Sequence, residues 1–409
     1  MSSSAQSARV VIEALRAGVP NRAAIRLLGN VETAIEDQFT QALNAVGSPQ
    51  PLGGMAIAGG FGTGKSHLLG YLREVALKRN FVVSWVTVSK ETPLYHLGLV
   101  FAAAMRSAAV PDSFDDAITV LLSKVQGRAE AVQSLEQWAS TPEAGVAPVF
   151  AALTHLLTRS MPAELMRGVE AFLSGAKPPT SETRRRLADL GARGMFDLSG
   201  VKAATLHLQR PRFMTQLVQA AGYAGWCVLI DEVELIGRYG PMQRAKAYFQ
   251  LAYWLGLEPK LRDPGLYACC AVSDDFADVV INARQDDEKL PELLTQKNLL
   301  CMVELAGAAM RAIQGARPLR APTDTDLARH AETLRGCYST AYGWTAPAPS
   351  IAARRSNLTL RHHVRSWITE WDMLRLQGSS SGVEVSPVAP DYTENPDTTG
   401  VPPDGDAAN

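Results

Sequence analysis

Apolar positions along this chain follow two alternating periods, and the alternation predicts an α/β protein. Residues 55–58, 81–88, 226–230, 266–272 and 299–305 are short apolar or β-branched runs. Such runs, apolar on both faces, suit parallel strands covered by helices on each side. Elsewhere the spacing is close to 3.6 residues, the repeat of an amphipathic helix. Helices are expected over 8–18, over 31–46, and from Asn21, whose side chain suits a cap, through Leu28. Between the second and third strands the chain reads as mostly helical, over 113–125, 130–139, 146–157, 163–173, 181–190 and 211–221, with breaks at Pro142, Pro162 and Pro178-Pro179. Two long helices, 324–342 and 359–376, close the pattern, the second with Leu360, Val364, Trp367, Ile368, Trp371 and Leu374 on one face.

This order divides the chain into an N-terminal helical segment (1–50), an α/β core (51–310) with a helical insertion (95–220), and a helical lid (311–377). From Ser379 onward there are five prolines, six carboxylates and no Lys or Arg, the composition of an acidic disordered tail (378–409). The whole chain is 46% apolar and 20% charged, enough for a large core. A net charge of −1 gives no global attraction to nucleic acid or membrane. No apolar stretch reaches membrane-spanning length and the start carries no secretory pattern, so the cytoplasm is the expected location. Five cysteines lie without a C-x-x-C pair, which favours buried reduced thiols over a zinc site.

The chemistry is concentrated after the first strand. Gly59, Gly60, Phe61, Gly62, Thr63, Gly64, Lys65 and Ser66 fit G-x-x-x-x-G-K-[ST], and His67 opens the helix that follows. Glycines let successive backbone N–H groups turn inward as an anion nest, and a helix N-terminus adds its dipole. Lys65 is placed for the β/γ-phosphates and Ser66 for Mg²⁺. The run 228–230 ends in Asp231-Glu232, which assigns Asp231 to Mg²⁺ and Glu232 to activation of water, unless the pair merely caps the next helix. Ser273, at the end of the next strand, is a candidate sensor of phosphate, with Asp274 second. A cation for the transferring phosphate comes from Arg361, with Arg238 and Arg244 as alternatives reaching a neighbouring subunit.

With these residues the chain resembles AAA+-like P-loop ATPases of the origin-recognition and signal-transduction branch. More narrowly it is similar to the ATP-binding proteins of BREX-type phage-exclusion systems. The likeness rests on 12–22 with 23–29, on 61–69, on 231–235 and on the helix bearing Arg361. It implies a P-loop NTPase fold with a five-stranded parallel sheet in the order 5-1-4-3-2, Mg²⁺ and ATP as ligands, and a role in anti-phage defence. Methylases or helicases would be its partners. From Lys177 to Arg212 eight basic residues, including Arg184, Arg185 and Arg186, stand against three acids, a candidate DNA contact whose alternative is a solvated helix face or partner site. An ATP-dependent switch or scaffold with slow turnover, and a small-molecule kinase, remain as other readings. Homo-oligomerisation stays open.

Overall fold

The structure is a computed structural model that describes residues 3–18, 21–159, 161–349 and 359–379. Helices α1 (Ser3–Ala17), α2 (Arg22–Leu28) and α3 (Thr33–Ala45) precede strand β1 (Met55–Ala58). Helix α4 (Lys65–Lys78) then leads to β2 (Phe81–Thr87). The long interval that follows holds α5 (Leu97–Arg106), α6 (Ala117–Gln126), α7 (Ala129–Ala139), α8 (Pro148–Leu157), α9 (Ala163–Leu173), α10 (Thr180–Asp189) and α11 (Ala203–Ala220). Strand β3 (Gly225–Asp231), α12 (Pro241–Trp254), β4 (Leu266–Val272), α13 (Asp286–Gln296), α14 (Leu300–Gln314) and β5 (Arg317–Pro318) complete the sheet region. Two helices follow, α15 (Asp324–Tyr342) and α16 (Leu360–Gln377).

All pairings in the sheet are parallel. Its order is β2-β3-β4-β1-β5, which read from the other edge is 5-1-4-3-2. The fifth member, however, is not the segment that the apolar run at 299–305 pointed to. Those residues begin α14, and the edge strand is the two-residue Arg317–Pro318 beside Ile57 and Ala58. Leu305, Ala306, Ala309, Met310 and Ile313 are the buried face of that helix, a 3.6-residue spacing that a seven-residue window cannot separate from a strand.

Alternate side chains of each central strand enter two different cores. Trp226, Val228 and Ile230 face the helical interval, with Ala268, Cys270 and Val272 beside them. Cys227 and Leu229 face α3 and α4, with Tyr267, Cys269 and Ala271. Every residue of β3 and β4 is buried, which is why these runs read as continuously apolar. Trp226 is the anchor on the first side: its ring packs edge-on to Trp254, and its N–H donates to Ser84 Oγ at 2.9 Å.

A third core lies away from the sheet, where Ile12 of α1 joins Leu334, Tyr338, Trp367, Ile368 and Trp371 of α15 and α16. Polar ties reinforce it, Arg9 Nε donating to the Ala341 carbonyl at 2.7 Å and Arg16 pairing with Asp372 at 2.7 Å. The first helix therefore packs with the C-terminal helices, a partnership that periodicity along one segment cannot reveal. Cys301 is exposed and Cys337 half-buried, so burial of the thiols holds only for Cys227, Cys269 and Cys270. The acidic tail beyond residue 379 lies outside the described residues, as do residues 350–358 before α16. Among the described residues no helix is long and apolar enough to cross a membrane.

Candidate functional site

Strand β1 ends at Ala58 and α4 begins at Lys65, so residues 59–64 form the turn between them. Gly62 has φ +79° and Gly64 φ +113°, a region that side chains with a Cβ rarely enter. At Gly62 space forbids a side chain as well, since an added Cβ would lie 2.8 Å from Thr359 Oγ1. Thr63 Oγ1 donates to the Gly60 carbonyl at 2.8 Å and holds the turn closed. The Lys65 ammonium, nine-tenths buried, folds back to donate to the Gly59 carbonyl at 2.7 Å and the Gly60 carbonyl at 3.4 Å.

Register places the acids opposite this turn. Strand β3 lies two places from β1, and Asp231 is its last residue, at the carboxyl edge where the turn also sits. The Ser66 hydroxyl lies near enough to the buried Asp231 carboxylate to pull its pKa down, and Asp231 Oδ1 accepts from the Glu232 amide at 3.0 Å. Glu232 has φ +61° and ψ +35°, left-handed backbone that costs a non-glycine residue about 1–3 kcal/mol and that collects at functional sites. Burial raises both acids above the ordinary carboxylate range, Asp231 against the pull of Ser66, and Glu232 with the added push of Asp231.

A third acid belongs here and was not singled out from sequence. Glu234 sits in the 3₁₀ turn Val233–Arg238, with Oε1 at 3.6 Å from Lys65 Nζ. Its Oε2 is buried without a hydrogen-bond partner. The signal was the third acid of Asp231-Glu232-Val233-Glu234, which the sequence reading placed inside the helix that the Asp-Glu pair would cap. Burial pushes the Glu234 carboxyl up to about 7, Lys65 offsetting only part of that. A carboxyl raised in this way favours the fold below its unfolded value of 4.5, and the contribution is lost as pH rises towards 7. Glu234→Gln is therefore expected to stabilise the protein by about 1–3 kcal/mol at pH 8, a gain that fades towards pH 5. Urea midpoints at the two pH values test this, and an equal gain at both contradicts the burial argument.

Arg361 closes the site from α16. Its amide reaches the Gly62 carbonyl at 3.4 Å, and its guanidinium lies 5.2 Å from the Phe61 ring centre. It feels the charges of Glu232 and Asp231. A cavity lined by Leu15, Ile25, Leu28, Leu360 and Val364 continues from the turn, with Lys65, Ser66, Glu232 and Glu234 at its polar end. Helices α1, α2 and α16 thus supply an apolar wall next to the glycine turn.

Other expected residues fall differently. Ser273 is buried at the end of β4 and lines neither this cavity nor the cleft beside it, whereas the Asp274 carboxylate lies against Gly60. The His67 ring is tied by Nε2 to the Gly29 carbonyl at 2.8 Å, joining α4 to the end of α2. Arg244 is buried in α12, and pairs with Asp286 of α13 at 2.8 Å, with Tyr248 donating to the same carboxylate at 3.2 Å. It braces two helices and is not offered to another subunit. Some members of the basic stretch are engaged within the fold. Arg210 is buried over the Phe172 ring, Arg212 donates to the Glu143 carbonyl, and Arg184 donates to the Leu198 carbonyl. Consecutive helix positions point about 100° apart, so Arg185 is exposed while Arg186 turns inward.

With fold and site in place, comparison with known proteins gives one family. Residues 4–184 match the family described as BREX system ATP-binding protein BrxC/D. The likeness read from the sequence therefore holds over that stretch, which contains α1 to α4, the glycine turn and much of the helical interval. Strand β3 with its acids, and α16, lie beyond it. No curated protein and no solved structure matches the chain.

Proposed function

We propose that this chain is a P-loop NTPase that binds Mg²⁺ and ATP and hydrolyses the nucleotide, in a BREX-type phage-defence system. The observation that carries the reading is the juxtaposition of Ser66 and the Asp231 carboxylate in one cleft. It joins the residue after the glycine-turn lysine to the acidic end of a strand far along the chain, the two groups that a shared magnesium would need. The donor set fits: a hydroxyl and a carboxylate, both oxygen, suit a hard cation that keeps most of its water. Lys65 fits a phosphate because the neutral backbone carbonyl its ammonium now donates to is exchanged readily for an anionic oxygen, a stronger acceptor.

On this reading the amides of 60–66 and Lys65 hold the phosphates, and the nucleobase takes the apolar cavity beside Ile25, Leu28 and Val364. Ser66 and Asp231 hold Mg²⁺, which when bound offsets charge on the phosphate oxygens. Glu232 accepts the proton of the attacking water. Arg361 meets charge on the transferring phosphate, and Asp274 or Ser273 orients the water from the β4 end. The core is then 51–310 with its insertion at 95–220, closed by a lid over 311–377. Within such a system the work of hydrolysis falls on DNA or on a partner protein, a methylase or helicase.

Lys65→Ala tests the reading directly. Loss of the ammonium should weaken Mg-ATP binding at least about tenfold, measured by equilibrium titration with a fluorescent analogue. Chelation of Mg²⁺ should weaken the wild type as well. Unchanged affinity in Lys65→Ala overturns the assignment of the turn.

A further inference from the structure

A second opening adjoins the site on the far side of Ser66, a cleft of about 600 Å³ at the carboxyl edge of β2 and β3. Its floor is set by the register of Thr87 with Asp231, and Glu232 and Arg361 stand at the inner end. Its outer wall is cationic. Arg22 of α2 and Arg73 of α4 both line it, as do Trp85 and Asp231.

The charges on that wall do not balance. One buried carboxylate, Glu74, serves three guanidinium groups: Arg22 at 2.5 Å, Arg26 at 2.7 Å, and Arg73 only at 4.0 Å. Arg26 donates twice to Oε2, Arg22 meets Oε1 as an ion pair, and Arg73 is the most distant of the three. Arg73 is about a quarter exposed, and burial together with the neighbouring Arg22 pulls its pKa down. A half-buried guanidinium that repels its neighbour and shares a distant carboxylate is poorly compensated by the protein's own groups. An anion with two or three acceptor oxygens would satisfy both arginines at once. Trp85 offers a partly exposed indole in the same lining, and α2 packs closely on α4 here, since a Cβ at Gly70 would meet Ile25 Cδ1 at 2.3 Å.

We propose that this cleft is a second anion site, taking a small phosphate-bearing ligand between Arg22 and Arg73 with its organic part along Trp85. The site is separate from the glycine turn and does not require that the turn bind ATP. Its position beside Glu232 and Arg361 places such a ligand against the groups assigned to hydrolysis, so occupancy of one site is felt at the other.

Inorganic phosphate, inorganic pyrophosphate and adenosine monophosphate serve as probes, titrated by calorimetry into full-length protein. In Lys65→Ala the pyrophosphate site at the turn is removed and the cleft site is expected to remain. Adding Arg73→Gln should then weaken the residual binding about tenfold or more, with partial recovery in Arg73→Lys. Thr87→Glu, at an exposed residue of β2 on the cleft wall, should cause a similar loss without disturbing any ion pair. Tighter binding of the monophosphate than of inorganic phosphate, reduced in Trp85→Ala, identifies a phosphorylated organic ligand; equal binding identifies the free anion. Residual binding that survives both Arg73→Gln and Thr87→Glu overturns the proposal, as does its absence in Lys65→Ala. If wild type and Lys65→Ala bind alike, the turn assignment fails while Arg73→Gln still decides the cleft.

Discussion

Glu232→Gln is expected to lower ATP turnover by roughly 10²–10⁴-fold while leaving Mg-ATP affinity within a few-fold of the wild type. The amide keeps the size of the side chain and its place on the left-handed backbone at φ +61°, but it cannot accept a proton from water. Asp231 and Ser66 are untouched, so whatever holds the metal is retained. Removing the charge also takes away one of the groups that raise its neighbours, since Glu232 pushes up the Glu234 carboxyl. The experiment pairs steady-state phosphate release with equilibrium binding of nucleotide. Turnover in the variant equal to wild type removes Glu232 from the chemistry. Negligible turnover in the wild type itself, with DNA and partner proteins supplied, favours the other reading, in which nucleotide occupancy switches an assembly. A metabolite requirement for ATP consumption would point instead to a kinase, and the cleft at Arg22 and Arg73 is where its acceptor would enter.

The parts of this site that were legible in sequence are those written in local pattern. A glycine turn between an apolar run and an amphipathic segment reports its own geometry, and β1, β4, α9 and α15 fall where the spacing placed them. Asp231 and Glu232 stood out because a fully buried strand cannot carry acids except at its end. What failed did so where the decisive contact is distant or the pattern is short. Residues 299–305 are apolar enough for a strand, and only the continuation through Met310 and Ile313 turns them into a helix. β5 has two exposed residues and no apolar signature, so backbone pairing with β1 alone defines it. Arg244 looked like a surface cation because its counter-ion, Asp286, lies on another helix. The excess of arginine around Glu74 is equally invisible in sequence, for Arg22 and Arg73 are brought together only when α2 packs on α4.

Gly54→Ala should destabilise the fold by at least about 3 kcal/mol, the largest effect expected of a single added methyl group in this chain. Gly54 has no unusual φ, so the constraint is space alone. A Cβ built there would lie 2.3 Å from the Ala268 carbonyl oxygen and 3.0 Å from Leu255 Cα, both backbone. Neither can yield cheaply. Ala268 is inside β4, paired with Val228 of β3, and the Gly54 amide itself donates to the Leu255 carbonyl at 2.6 Å. Relief requires β1 to move away from β4, which would break the register of Met55 with Cys269 and of the three pairs after it. Gly336→Ala is the control, because a Cβ there meets nothing within 4 Å and the residue lies inside α15. It should stabilise by roughly 0.5–1 kcal/mol through reduced freedom of the unfolded chain. Urea denaturation of the two variants, run in parallel, therefore predicts shifts of opposite sign, and equal midpoints would show that β1 is held less tightly than the close approach implies. The consequence reaches the site, since β1 is the strand that delivers Gly59 to the turn. A β1 displaced from β4 carries the Lys65 contacts with it, and the surviving folded fraction of Gly54→Ala should bind nucleotide more weakly than the wild type even after correction for unfolding.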